Sequence, residues 1–189
     1  MRDDIIEFLE KDIKARCESP NNFFGMGCYY HMKAVVKNAI LLSDQFGADT
    51  EVVIIASWLH DVASITDYDL YEEHHIHGTK IAFEILKSLN YSSEKIEKVQ
   101  KCILNHRGSI SQEKSSIEEV CVADADAISH FDSLPSLFYL AYEKRHYGIE
   151  EGIEFVRNKL KRSYNKLSPN SKKVFEDKYK TTMEILAQD

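Results

Sequence analysis

Glycine and proline are scarce in this 189-residue chain, with 7 and 3 copies. Short strands joined by tight turns depend on both residues, so a β-sandwich or barrel is disfavoured. Strand-like alternation of apolar and polar residues is also rare. No stretch of ~18 consecutive apolar residues occurs, so no membrane span is expected. The opening Met1-Arg2-Asp3-Asp4 carries charge where an export signal needs an apolar run. Cysteine is limited to Cys17, Cys28, Cys102 and Cys121, none in a CxxC pair. That argues against a thiolate zinc site and against a disulfide framework. Reduced thiols in a cytoplasmic protein are the expectation. Basic residues are outnumbered, 24 Lys and Arg against 31 Asp and Glu, for a formal net charge of −7. Such a chain does not attract a nucleic-acid polymer through its overall field, although a local basic pocket is compatible with it.

Apolar residues recur with helical spacing almost throughout. The pattern predicts helices over about 3–18, 29–46, 50–59, 71–89, 93–106 and 116–131, one opened by Pro135, and two more over 149–166 and 169–187. Residues 63–70 and 107–114 read as loops. The stretch Val52–Leu59 is apolar nearly all round and should be buried on several sides. No internal repeat or linker is evident. The expectation is an all-α protein with one compact helical domain over 1–189, its core at about 25–135 and a helical extension at 136–189.

Several histidines fall on predicted inner faces or helix ends, where an imidazole needs a partner or a metal. The sharpest element is the pair His60-Asp61, at the end of the apolar helix. Side chains of neighbouring helical residues diverge by ~100°, but at a helix end the backbone can turn and bring both to one point. Alone, such a dipeptide is more often a capping histidine beside a surface aspartate. His31, however, lies in register with the buried stripe of Val35, Ala39 and Leu42. Asp126 lies within Val122-Ala123-Asp124-Ala125-Asp126-Ala127-Ile128, too apolar for a solvated face, where a carboxylate needs a counter-charge. Helical phase favours Asp124 over Asp126, because Asp124 lies with Ile117, Cys121 and Ile128.

A histidine, then His-Asp, then a later aspartate, each on its own helix, resembles the HD superfamily of metal-dependent phosphohydrolases, in particular its small stand-alone members. The likeness covers roughly 25–135, and a weaker one reaches Phe155-Val156-Arg157-Asn158-Lys159-Leu160. The resemblance implies a helical bundle with added C-terminal helices and the metal ligands His31, His60, Asp61 and Asp126. Asp126 follows from the family pattern Ala-Asp-x-Leu/Ile, matched by Ala125-Asp126-Ala127-Ile128, which leaves Asp124 a supporting place next to the ligands. His74-His75-Ile76-His77-Gly78 and His106 resemble the histidine positions that hold a second metal in binuclear members. For His75 a solvated helix start is the preferred reading, and His77 is assigned a supporting role. Arg107, Lys80 and Lys159, with Arg162 beside them, are the candidates to hold phosphate. Ala127 departs from relatives that carry Arg or Lys there, and His130 is the nearest replacement.

The implied chemistry is hydrolysis of a phosphoester or phosphoanhydride in a nucleotide or other small phosphorylated metabolite. One or two divalent ions, Mn²⁺, Mg²⁺ or Fe²⁺, would activate a water. Asp61 would ligate and orient that water, and His74 or His106 would protonate the leaving oxygen. Two other readings stay open on the sequence. One is a di-iron oxygen-activating enzyme of HD type, and the other a non-catalytic nucleotide-binding HD module. Self-association into a homo-oligomer is compatible with either.

Overall fold

The structure, a computed structural model, describes residues 1–107 and 114–187. Most of the expected loop at 107–114 lies outside the described residues. Among the described residues there are helices and turns but no strand, as the pattern predicts. The helices are α1 (Asp3–Glu18), α2 (Met26–Phe46), α3 (Thr50–Leu59), α4 (Val62–Thr66), α5 (His74–Ser88), α6 (Ser93–Asn105), α7 (Ile117–Asp132), α8 (Leu134–Tyr139), α9 (Ile149–Lys166) and α10 (Pro169–Ile185). A 3₁₀ turn covers Tyr68–Leu70, and a π turn covers Leu140–Lys144 at the end of α8. The expected loop at 63–70 is therefore mostly helical. Val62, Ala63, Ser64 and Ile65 are buried, and that burial supports a turn of helix too short to show a period.

Local chemistry fixes several boundaries. Gly47 adopts φ 70°, the left-handed conformation that ends α2 at little steric cost. The Asp49 carboxylate accepts from Val52 N at 3.3 Å and caps α3. Ser116 Oγ accepts from Glu119 N at 3.2 Å and caps α7. Pro135 and Pro169 sit in first turns, where a missing N–H costs nothing.

The helix α3 runs through the middle, and every residue from Val52 to Leu59 is buried. It packs against α1, α2, α6 and α7, while α2 and α7 lie side by side. Truncating a single Ile or Leu here to Ala should cost about 2–5 kcal/mol. On α7, Glu119 and every residue from Cys121 to Phe131 are buried. The helices α5 and α6 form an antiparallel pair on one flank, with a Cβ at Gly78 reaching to 3.1 Å from Ile103 Cγ2. A smaller apolar cluster of Phe131, Leu137, Val156 and Leu160 seats α8 and α9 against the end of α7. This stacking aims α9 at the place where α2, α3 and α7 meet. Among the described residues, no helix is long and apolar enough to cross a membrane.

Candidate metal centre

The expected ligands arrive from separate helices. His31 projects from α2 and Asp126 from α7, and His31 Nε2 lies 3.3 Å from Asp126 Oδ1. His60 terminates α3. Asp61 then takes φ −108°, ψ 14°, so the chain turns into α4 and the two neighbouring side chains converge. His60 Nε2 lies 3.4 Å from Asp61 Oδ2 and 3.9 Å from Asp126 Oδ1. His74 opens α5 and His106 closes α6. Their Nε2 atoms lie 3.3 Å and 3.6 Å from Asp61 Oδ1. Three overlapping groups result, His31–His60–Asp61, His31–Asp126–His130 and Asp61–His74–His106, with His31 common to the first two and Asp61 to the first and third.

Three of these imidazoles are oriented by the same device. Nδ1–H donates to the carbonyl three residues back: His60 to Ser57 at 2.8 Å, His74 to Tyr71 at 2.6 Å and His106 to Ile103 at 2.6 Å. A carbonyl can only accept, so the proton sits on Nδ1 and the Nε2 lone pair faces the centre. His31 Nδ1 pairs with Ser129 Oγ at 3.1 Å. Glu119 is fully buried and accepts from Asn105 Nδ2 at 2.7 Å, which holds the end of α6 next to His106.

This arrangement fits a cation. His60 Nε2 is buried with no hydrogen-bond partner. His74 Nε2 and His106 Nε2 face each other at 3.2 Å. With both protons on Nδ1, two lone pairs oppose, and only a proton or a metal ion between them relieves the repulsion. Ligands about 2.1 Å from one ion stand about 3 Å apart, close to these separations. Burial lowers His60, His74 and His130, so these rings are neutral near pH 7. Burial works against the charge of Asp61 and Asp126, but positive charge taken up by the surrounding imidazoles, and Lys166 near Asp126, outweighs it and places both well below the usual carboxylate range. A buried carboxylate, Asp126, and a half-buried one, Asp61, among imidazole nitrogens complement a divalent ion.

The centre is open. Asp61 keeps 30% of its side chain exposed and borders two adjoining cavities. One, of about 410 Å³, runs past His74, His106 and Asp126 and is edged by Arg107, Arg145, Lys159, Arg162 and Lys166. The other, of about 110 Å³, is more apolar and is lined by Phe24, Ile65, Tyr71, Leu137 and Leu140. Lys159 borders both, and its ammonium is lowered by burial. The Arg107 guanidinium donates to the Glu72 carbonyl and pairs with the Glu72 carboxylate at 3.5 Å.

Other expected residues lie elsewhere. Asp124 accepts from Ser168 N at 2.9 Å and Ser168 Oγ at 2.5 Å, so it tethers the start of α10 and does not support the ligands. Lys80 is exposed on α5, and His77 pairs with Glu73 at 3.8 Å; neither lines either of these two cavities. His75 is not solvated as expected, for it is 5% exposed and packs edge-on against His74. His130 Nδ1 lies 4.0 Å from Asp126 Oδ1 and its ring packs on His31 at 4.8 Å; as a neutral ring it does not replace a cation at Ala127. Arg145 and Lys166 were not anticipated. The spacing 159–162–166 on one helix face could have revealed Lys166, whereas Arg145 follows a π turn with no sequence signal.

Comparison with known proteins gives a family and a shared fold. Residues 28–130 match the family model of the HD domain. Among solved structures, Bacillus subtilis YpgQ superposes with a TM-score of 0.71 at 13% identity, over 97% of this chain and 92% of that one. YpgQ in complex with ADP gives 0.65 at 14% identity, over 94% and 93%. The Lin1889 protein of Listeria innocua gives 0.67 at 16% identity, over 98% and 93%.

Proposed function

Since the chain belongs to the HD-domain family, we propose that it is a metal-dependent phosphohydrolase acting on a nucleotide or another small phosphorylated metabolite. The observation that carries this reading is Asp61. One carboxylate presents Oδ2 to His60 and Oδ1 to His74 and His106, on the floor of a cavity edged by five Lys and Arg side chains.

His31, His60, Asp61 and Asp126 would hold one divalent ion, and Asp61, His74 and His106 a second. Mixed imidazole and carboxylate donors suit Mn²⁺, Mg²⁺ or Fe²⁺. When bound, such ions supply a water of lowered pKa and draw charge from a phosphoryl oxygen. Asp61, partly open to the cavity, accepts a hydrogen bond from the attacking water and aligns it. Lys159, Arg162 and Lys166 rake the cavity from α9, and Arg107 faces them from the end of α6. Together they take the phosphate oxygens and the charge that builds on them. With only the first group loaded, the facing Nε2 atoms of His74 and His106, 3.2 Å apart, would accept a proton between them. That proton is available to the leaving oxygen. The apolar cavity beside Phe24 and Tyr71 suits the unphosphorylated part of the substrate, such as a planar base. The ADP complex of YpgQ supports a nucleotide as the ligand class.

The test is metal analysis of protein purified without chelator, followed by phosphate release from nucleotides and phosphomonoesters with Mn²⁺, Mg²⁺ or Fe²⁺. Bound metal and turnover are expected, and both should disappear in His60→Ala. Full metal content and turnover in that variant would refute the reading. So would tight nucleotide binding without turnover, or metal-dependent oxygen consumption in its place.

A further inference from the structure

Cys17 stands in the last turn of α1 and Cys28 in the first turn of α2. The intervening loop brings their Sγ atoms to 2.7 Å. Asn22 organises that loop, its Nδ2 donating to the carbonyls of Cys17 and Gly25, both at 3.3 Å, and to Cys28 Sγ at 3.2 Å. The two sulfurs differ in access. Cys17 is sealed in the core at 1% exposure, whereas Cys28 is half-buried and lines the apolar cavity beside Phe24 and His31. They differ in chemistry as well. Cys28 Sγ donates to the Gly25 carbonyl at 2.8 Å and accepts from the Asn22 amide, and its contact with Cys17 lowers the pKa of Cys28 and raises that of Cys17. The other two thiols, Cys102 and Cys121, are fully buried on α6 and α7, line neither cavity, and are raised by burial.

An accessible sulfur with a sealed partner at contact distance has the layout of an attacking and a resolving cysteine. We propose that Cys17 and Cys28 form a reversible redox modification site, at which a hydroperoxide entering the cavity oxidises Cys28 and Cys17 closes a disulfide. The Cys28 thiolate attacks one peroxide oxygen, an S–O bond forms and the O–O bond breaks. The other oxygen leaves as alcohol or water, taking up the proton that the Cys28 thiol released when it ionised. The Cys17 sulfur then displaces the sulfenic hydroxyl, which departs as water with the proton of Cys17. Two thiols lose two electrons in total and one peroxide gains them.

The test treats the reduced full chain with one equivalent of hydrogen peroxide, alkylates the remaining thiols and maps the peptides by mass spectrometry. The expected result is a peptide linking 17 to 28, reversed by dithiothreitol, with Cys102 and Cys121 still alkylated. Cys17→Ser should instead accumulate a Cys28 sulfenic acid that a cyclic dione traps. Cys28→Ser should leave Cys17 reduced. The proposal is overturned if Cys102 or Cys121 reacts at the same or lower peroxide while 17 and 28 remain unlinked. It is equally overturned if Cys28 passes to sulfinic acid with Cys17 still a free thiol. Mapping of the unmodified sequence decides the matter even if a variant fails to fold.

Discussion

Acidification of the metal-free protein probes the whole cluster. His60, His74 and His130 are 0%, 8% and 5% exposed, and burial holds all three imidazoles below their ordinary range. In the unfolded chain each titrates near pH 6.5, at about its reference value. Below that pH, down to the depressed folded values, the unfolded chain holds more protons, so stability falls as pH falls. Each histidine contributes a slope of about 1.4 kcal/mol per pH unit, and the three together give about 4 kcal/mol per unit. Asp61 and Asp126 add a second acid limb. Their folded values lie below the unfolded one, so their contribution is complete above about pH 4 and lost beneath it. Against a total of about 5–15 kcal/mol, a loss of that size for each pH unit below about 6.5 is a large fraction of the whole. Urea unfolding followed by far-UV circular dichroism, in chelator, from pH 7.5 to 5 measures this. His74→Asn should reduce the slope by about one third, since it removes one of three equal contributions. Stability that stays flat from pH 7 to 5 would refute the reasoning, because it would mean that the rings titrate alike in both states.

Asp61→Asn should lose metal from both ligand groups, whereas His106→Asn should lose it from one only; elemental analysis after gel filtration distinguishes them. Lys159→Met should lower kcat/KM by about 10²-fold with metal content intact. Its thermal stability should be equal or higher, because a buried ammonium is replaced by an apolar chain. Asp124→Ala should cost about 1–3 kcal/mol in urea unfolding by stripping Ser168 of its acceptor, with no change in bound metal. Metal loss in that variant would contradict the tethering role.

The helices were legible because their apolar residues repeat every three to four positions over several turns. The turn of helix at 62–66 was not, since five residues cannot display a period. His31 and His60-Asp61 stood out because polar groups interrupt stretches that must be buried. Asp124 and Asp126 show where that signal ends. Phase compares an inner face with an outer one, yet α7 is buried on all sides from Cys121 to Phe131. The decision came from the resemblance, and the structure puts Asp126 beside His31 and Asp124 beside Ser168. His75 was misplaced because a polar run at a helix start looks solvated, although its ring is buried against His74. Arg145 reaches the cavity through the geometry of a π turn, which no spacing rule encodes.

The residues assigned to the ions all lie between positions 31 and 126. Four of the five cations that border the larger cavity come from 145 to 166, beyond the stretch matched by the family model. If the proposed roles hold, what activates and what grips are written largely on different lengths of chain, joined where α9 rests on α7. On that reading, edits to α8 and α9 would change the grip on the phosphorylated molecule while leaving the ion-binding residues in place. Exchanging that C-terminal portion between relatives is accordingly a direct route to new selectivity on an unchanged engine.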